Sequence, residues 1–129
     1  MMRLQSDLVE LCVSATKGEL AGKEISFDPR AAVGVVLAAG GYPGSYNKGD
    51  VISGLETNTN EAAKTFHAGT ALKGDQVVTA GGRVLCATAL GHSVTEAQKA
   101  AYELLNQISW DKVEFRTDIA YRAIARENA

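Results

Sequence analysis

The chain has 129 residues, of which 46% are hydrophobic and 22% charged, and its formal net charge is −2. That length suits one domain with one core, and the composition excludes disorder. The balance of charge leaves no basic patch for nucleic-acid phosphates, and no apolar run reaches the roughly 18 residues that a membrane helix needs.

The first apolar residues, Leu4, Leu8, Leu11, Cys12 and Ala15, recur at helical spacing, with Gly18 as the stop. The preceding residues lack the apolar core of a signal peptide, and the expected setting is the cytoplasm. A polar connector from Glu19 to Arg30 follows, with a short strand expected at Glu24–Phe27. Ala31 to Ala39 then reads as a long strand, apolar enough on both faces to be central in its sheet.

That run ends at Gly40-Gly41-Tyr42-Pro43-Gly44, the start of a glycine-rich loop that extends to Asp50. Short strands are expected at Val51–Leu55 and Lys64–Thr70, the latter followed by a turn at Lys73-Gly74-Asp75. Gln76–Thr79 and Arg83–Leu90 read as a hairpin joined through Ala80-Gly81-Gly82.

Ser93-Val94-Thr95-Glu96 is a capping box, and Val94, Ala97, Ala101, Leu104, Leu105 and Ile108 form the apolar face of the helix it opens. Trp110, a short strand at Val113–Phe115 and a helix over Asp118–Arg126 complete the chain. Strands arriving in succession between helices predict an α+β fold: a mostly antiparallel sheet of about five strands with helices packed on it.

Two features could carry chemistry. Gly40 and Gly41 permit close backbone approach, and Tyr42 adds a ring and a hydroxyl beside the stiff Pro43. Such a loop either faces a ligand or simply satisfies turn geometry. It is neither a dinucleotide fingerprint nor a P-loop, because no helix follows it and the Lys-Ser/Thr pair is missing. Arg83, next to Gly81 and Gly82, either offers a bidentate fork to a phosphate or is a solvated strand-end residue.

His67 and His92 fit structural roles and have no nucleophile partner at recognisable spacing. Cys12 and Cys86 sit in apolar patterns, which suggests buried, reduced thiols. No catalytic residue and no metal ligand is assigned.

The stretches Arg3-Leu4-Gln5-Ser6-Asp7, Gly34 to Gly44, Lys48-Gly49-Asp50-Val51-Ile52, Phe66-His67-Ala68-Gly69-Thr70, Gly81-Gly82-Arg83-Val84-Leu85, Thr88 to His92 and Arg116 to Glu127 occur in an order that is familiar. In these motifs the chain resembles the C-terminal part of phosphoribosylamine–glycine ligase, also called glycinamide ribonucleotide synthetase, of the ATP-grasp superfamily. The resemblance covers essentially the whole chain. It implies the rudiment single hybrid type of fold, with residues 1–18 as the terminal helix of a truncated ATP-grasp core and residues 19–129 as the C-terminal domain.

It also implies a part in purine synthesis. ATP and magnesium activate glycine as a glycyl phosphate, which phosphoribosylamine attacks. The family's ATP and metal ligands, including an Arg-Phe-Gly-Asp-Pro-Glu-Thr stretch, are expected before Met2. The implied partners are therefore the N-terminal and ATP-grasp domains and a ribotide substrate, with no cofactor held by these residues and no catalysis by them alone. Carried over residue by residue, the resemblance gives Arg83 to the ribotide phosphate, with Gly81 and Gly82 as backbone neighbours, and turns Gly40, Gly41, Tyr42 and Pro43 toward the substrate cleft. Family members can carry a lysine near Ala71; here no role is assigned there. The alternatives are a ribose-phosphate-binding module without catalysis, and dimerisation through the apolar stripe of the first helix.

Overall fold

The computed structural model describes residues 1–129, folded as α1 (Leu8–Thr16), β1 (Ala31–Ala38), β2 (Ala63–His67), β3 (Thr70–Lys73), β4 (Gln76–Thr79), β5 (Arg83–Gly91), α2 (Val94–Leu105) and α3 (Tyr121–Glu127). The fold is α+β and all strand pairs are antiparallel, as expected. The five strands are divided between two sheets, a three-stranded sheet in the order β1-β5-β2 and the hairpin β3-β4.

Several strand expectations are corrected. β1 lies at an edge and β5 is central. The inward residues of β1, Val33, Val35 and Leu37, are buried, whereas Ala32, Gly34 and Val36 are exposed on the outer face. Its outward residues are apolar without being covered, which is why the run reads as a two-faced strand. The hairpin expected between β4 and β5 does not form. β4 pairs with β3, in the register Lys73↔Gln76, around Gly74 and Asp75, and Gly74 takes the positive φ of +61° that such a turn demands. The strands expected at Glu24–Phe27, Val51–Leu55 and Val113–Phe115 shrink to isolated bridges, Leu4↔Phe27, Val51↔Val78, Ser53↔Ser109 and Ala38↔Glu114.

α2 covers the inner sheet face. Ser93 Oγ accepts from Glu96 N at 3.0 Å, and the Glu96 carboxylate accepts from His92 N at 2.9 Å. The cap is therefore reciprocal, reaching one residue further back than a standard capping box. Ala97 and Ala101 on the helix are fully buried, as are Ala87 and Ala89 on β5. Small residues on both elements let the helix axis approach the sheet closely, so that Leu104 and Leu105 on the helix, and Val33, Val35, Leu37 and Leu85 on the sheet, share one core with Ile108 and Trp110. Gly91 is required here, since a Cβ would meet Glu96 Cβ at 2.8 Å and strike Ala97 N.

The N-terminal segment enters β1 through a polar knot. Arg30 Nη2 donates to Asp28 Oδ2 at 2.6 Å, Arg30 N donates to Oδ1 at 2.9 Å, and Arg3 Nε donates to Asp28 O at 2.9 Å. The Arg30 guanidinium holds the Asp28 carboxyl down, from 3.8 to about 2. α1 itself is capped by Asp7, whose Oδ1 accepts from Val9 N and Glu10 N, and it ends before Gly18 at φ +72°. Only Ser14 of α1 is buried, and Leu8, Val9 and Val13 are exposed.

At the other end, Glu127 of α3 clamps the start of α2. Its Oε1 accepts from Val94 N at 2.7 Å, and its Oε2 accepts from Thr95 N at 3.2 Å and Thr95 Oγ1 at 3.1 Å. Those donors lower the Glu127 pKa, the Val94 N–H most of all. Both cysteines are free thiols, but the expectation that they are buried is corrected: Cys12 is exposed and Cys86 half-buried. Cys12 is uncovered because α1 packs little against the rest of the chain.

Candidate functional site

The glycine-rich loop and the turn before Arg83, 40 residues apart in sequence, meet in space. Ala39 N donates to Gly82 O at 2.8 Å where β1 ends. The Tyr42 ring lies directly over Gly82: a Cβ there would strike Tyr42 Cδ2 and come within 2.5 Å of Cε2 and 3.1 Å of Tyr46 Cε1. Tyr42 and Tyr46 pack edge to face with ring centroids 6.0 Å apart, and Lys48 Nζ stands 6.0 Å from the Tyr46 ring centre. Pro43 follows Tyr42 through a cis peptide bond.

Gly81 is seated against Gly69. Its N–H and that of Ala80 both donate to Gly69 O, at 3.1 and 2.8 Å, and a Cβ on Gly69 would lie 2.9 Å from Gly81 Cα. Glycines at 69, 81 and 82 thus serve close approach between backbone and neighbour, not a hairpin turn. The far end of the loop is tied to β4. Gly49 N donates to Thr79 O at 2.7 Å, Thr79 N to Asp50 O at 2.9 Å, and Asp50 N to Thr79 Oγ1 at 3.1 Å. Thr79 is only 1% exposed, so its hydroxyl is a buried polar group that the loop satisfies.

Arg83 opens β5 opposite Ala38 and is exposed, and no protein acceptor engages its guanidinium. Between the two tied ends of the loop, Gly44, Ser45, Tyr46, Asn47 and Lys48 direct no backbone N–H to a protein acceptor. The surface therefore combines an uncommitted guanidinium, an ammonium, loop amides and two tyrosines. Such a set of donors suits an anionic, hydroxyl-bearing ligand.

The largest cleft, about 500 Å³, lies elsewhere, between Glu56, Asn58, Asn60, Lys64 and His67. No principal cleft is lined by the loop or by Arg83, whose surface is a single open wall. His67 lies at the end of β2, its Nδ1 2.9 Å from Thr70 Oγ1, and His92 contributes a backbone N–H to the α2 cap. Sequence reasoning did not single out Thr79, Gly69, Lys112 or Glu114 as parts of the loop's setting. Gly69 lies inside the single strand expected over Lys64–Thr70, which the structure instead breaks there into β2 and β3.

The family described as "Phosphoribosylglycinamide synthetase, C domain" matches residues 32–122. The chain belongs to this family. Against the phosphoribosylamine–glycine ligase of Vibrio cholerae serotype O1 it is 65% identical over 129 residues, which cover all of this chain and 30% of the relative. Against the ligase of Escherichia coli K12 it is 58% identical over 128 residues, 98% of this chain and 30% of the relative. The crystal structure of phosphoribosylamine–glycine ligase from Thermotoga maritima superimposes with a TM-score of 0.64 at 37% identity, over 84% of this chain and 27% of that one. The chain thus spans about 30% of the length of the curated ligases it matches. The loop at Gly40 and the turn at Gly81-Gly82-Arg83 both lie within the residues that match the C-domain family. No helix of the chain is long and apolar enough to cross a membrane.

Proposed function

We propose that this chain is the C-terminal wall of a ligase that joins glycine to 5-phosphoribosylamine with ATP, giving glycinamide ribonucleotide in purine synthesis. The observation that carries this reading is the uncommitted Arg83 beside the Gly81–Gly82 seat, with Tyr42 packed over it. On this reading Arg83 binds the ribotide phosphate, the guanidinium fork supplying charge and direction. Gly81, seated on Gly69, and Gly82, beneath Tyr42, are the backbone neighbours that hold Arg83 in place, and Gly40, Gly41, Tyr42 and Pro43 shape the rim toward the sugar.

A magnesium ion does not fit the residues present. No group of three or more His, Cys, Asp and Glu side chains could hold a metal ion, and the Glu114 carboxylate beside the loop is already engaged by Gly41 N. Activation of glycine thus belongs to other domains of the ligase, and this chain alone binds and orients without turnover. Titration calorimetry with glycinamide ribonucleotide tests the reading. Binding by the chain is expected, weakened about 10- to 100-fold by Arg83→Ala, as for loss of a charge-assisted contact. Retained affinity in that variant removes Arg83 from the site. Turnover by the chain alone overturns its passive role, and activity restored on adding the remaining ligase domains in trans supports it.

A second reading concerns α1. We assign residues 1–18 to the end of the ATP-grasp core and residues 19–129 to the C-terminal domain. The exposed Leu8, Val9 and Val13 support a partner for α1, either those other domains or, in their absence, a second copy of this chain. Sedimentation equilibrium should show a dimer that Val9→Asp converts to a monomer; a monomer at high concentration without the substitution refutes self-association.

A further inference from the structure

The loop at Gly40 is held at its start by a segment that no motif marks. Residues 109–114 leave the core and cross the end of β1. Ser109 and Ser53 exchange both backbone hydrogen bonds, at 2.9 and 3.1 Å, and Trp110 is buried at 7% exposed. The chain then turns through Lys112, which takes φ +58°, a conformation that costs an L-residue about 1 kcal/mol or more. That turn brings Lys112 against Gly40, where a Cβ would lie 2.5 Å from Lys112 Cβ and 2.6 Å from its carbonyl oxygen. Two residues on, Glu114 exchanges both backbone hydrogen bonds with Ala38, at 2.7 and 2.9 Å. Its carboxylate Oε1 then accepts from Gly41 N at 3.0 Å.

The geometry points to residues 110–114 as a strap, with Glu114 the positioning residue that orients the Gly40–Pro43 rim for the ribotide. Three features support it independently: a backbone ladder to Ala38, a steric seat that only glycine at position 40 allows, and a side-chain bond to the loop's own Gly41. Gly41 sits at φ +91°, where a Cβ would meet Ser45 O at 2.5 Å, so only glycine fits there, and its own freedom leaves its orientation to be set by the bond to Glu114. A carboxylate accepting its N–H at 3.0 Å fixes the Gly40–Gly41 peptide plane, one residue before Tyr42, which lies over Gly82 beside Arg83. Glu114 touches no ligand atom in this scheme; it acts through Gly41 and Tyr42.

The inference rests on the ribotide reading for its consequence but not for its geometry, and two measurements separate them. In Glu114→Ala, the Gly41 amide should exchange with solvent about 5- to 10-fold faster by NMR, as for loss of one exposed charge-assisted bond. Glycinamide ribonucleotide should bind about 3- to 10-fold more weakly, with the melting temperature nearly unchanged. Glu114→Gln keeps an acceptor oxygen and should restore both the exchange rate and the affinity. Unchanged Gly41 exchange in Glu114→Ala overturns the strap. Faster exchange with unchanged ribotide affinity overturns its positioning role. If the unsubstituted chain binds no ribotide, the proposed function fails, while Gly41 exchange still decides whether the strap holds the loop.

Discussion

Gly82→Ala isolates the contact that joins the two halves of the site. Gly82 is buried and not at positive φ, so alanine meets no backbone penalty there. The added methyl would lie 2.5 Å from Tyr42 Cε2 and 3.1 Å from Tyr46 Cε1. Carbon atoms rest near 3.5 Å or beyond, and Tyr42 Cδ2 lies closer than Cε2, so the Tyr42 ring must retreat by more than about 1 Å and press on its Tyr46 neighbour. Tyr42 is 39% exposed and can move outward, which places the cost at the lower part of the overpacking range, about 1–2 kcal/mol. For a chain of this size that is a fall of roughly 4–8 °C in melting temperature, measured by circular dichroism. The cost should largely disappear when the ring is removed. In a Tyr42→Ala background the same Gly82→Ala change meets Tyr46 Cε1 at 3.1 Å, a contact that a small shift of this half-buried ring relieves, and alanine's smaller unfolded-state entropy offsets what remains. An equal cost in both backgrounds would show that the ring is not what the glycine accommodates.

Three further outcomes follow from the packing and the caps. Leu105→Ala, at 1% exposure in the core between α2 and the sheet, should lose about 2–5 kcal/mol in urea unfolding. Ala120→Gly should raise stability by about 0.5–1 kcal/mol, because Ala120 holds φ +69° at the start of α3 without a side-chain cap; no gain in a thermal melt would refute strain there. The Glu127 clamp should make stability fall with acid: its folded pKa lies below the ordinary 4.5, so its contribution is complete above pH 4.5 and disappears as the pH drops through the folded value. Glu127→Gln should remove that part of the slope below pH 4.5, and a melt series with an unaltered slope would exclude the clamp as its source.

Elements defined by local chemistry were legible in the sequence. The Ser93–Glu96 box and the apolar spacing of α2 depend only on near neighbours, and both are realised. Strand pairing depends on distant residues, and there the reading failed at glycines with other duties. Gly81 and Gly82 look like a hairpin turn, yet one is seated on Gly69 and the other lies beneath Tyr42. The polar-looking Lys73-Gly74-Asp75 is the actual hairpin turn. β1 misled because its outer face, Ala32, Gly34 and Val36, is apolar but uncovered. In the candidate site, Arg83 and the loop stand out through unusual local composition. Thr79 and Glu114 do not, since a threonine in a strand and a glutamate near a turn acquire meaning only through partners 29 and 73 residues away in sequence.

These long-range ties bear on how the site would respond to change. The loop is not a free flap on a rigid sheet. Its start is tied by Ala39 to Gly82 and by Gly41 to Glu114, its middle rests on Gly82, and its end is tied to Thr79 on β4. Because Gly82 directly precedes Arg83, the rim and the guanidinium share one support. A disturbance at Tyr42 therefore reaches Arg83 through a single peptide unit, and substitutions at the two should couple instead of adding. On the proposed reading, this shared support sets Arg83 and the loop rim in register, and the enclosure that a ribotide requires comes from the other domains of the ligase.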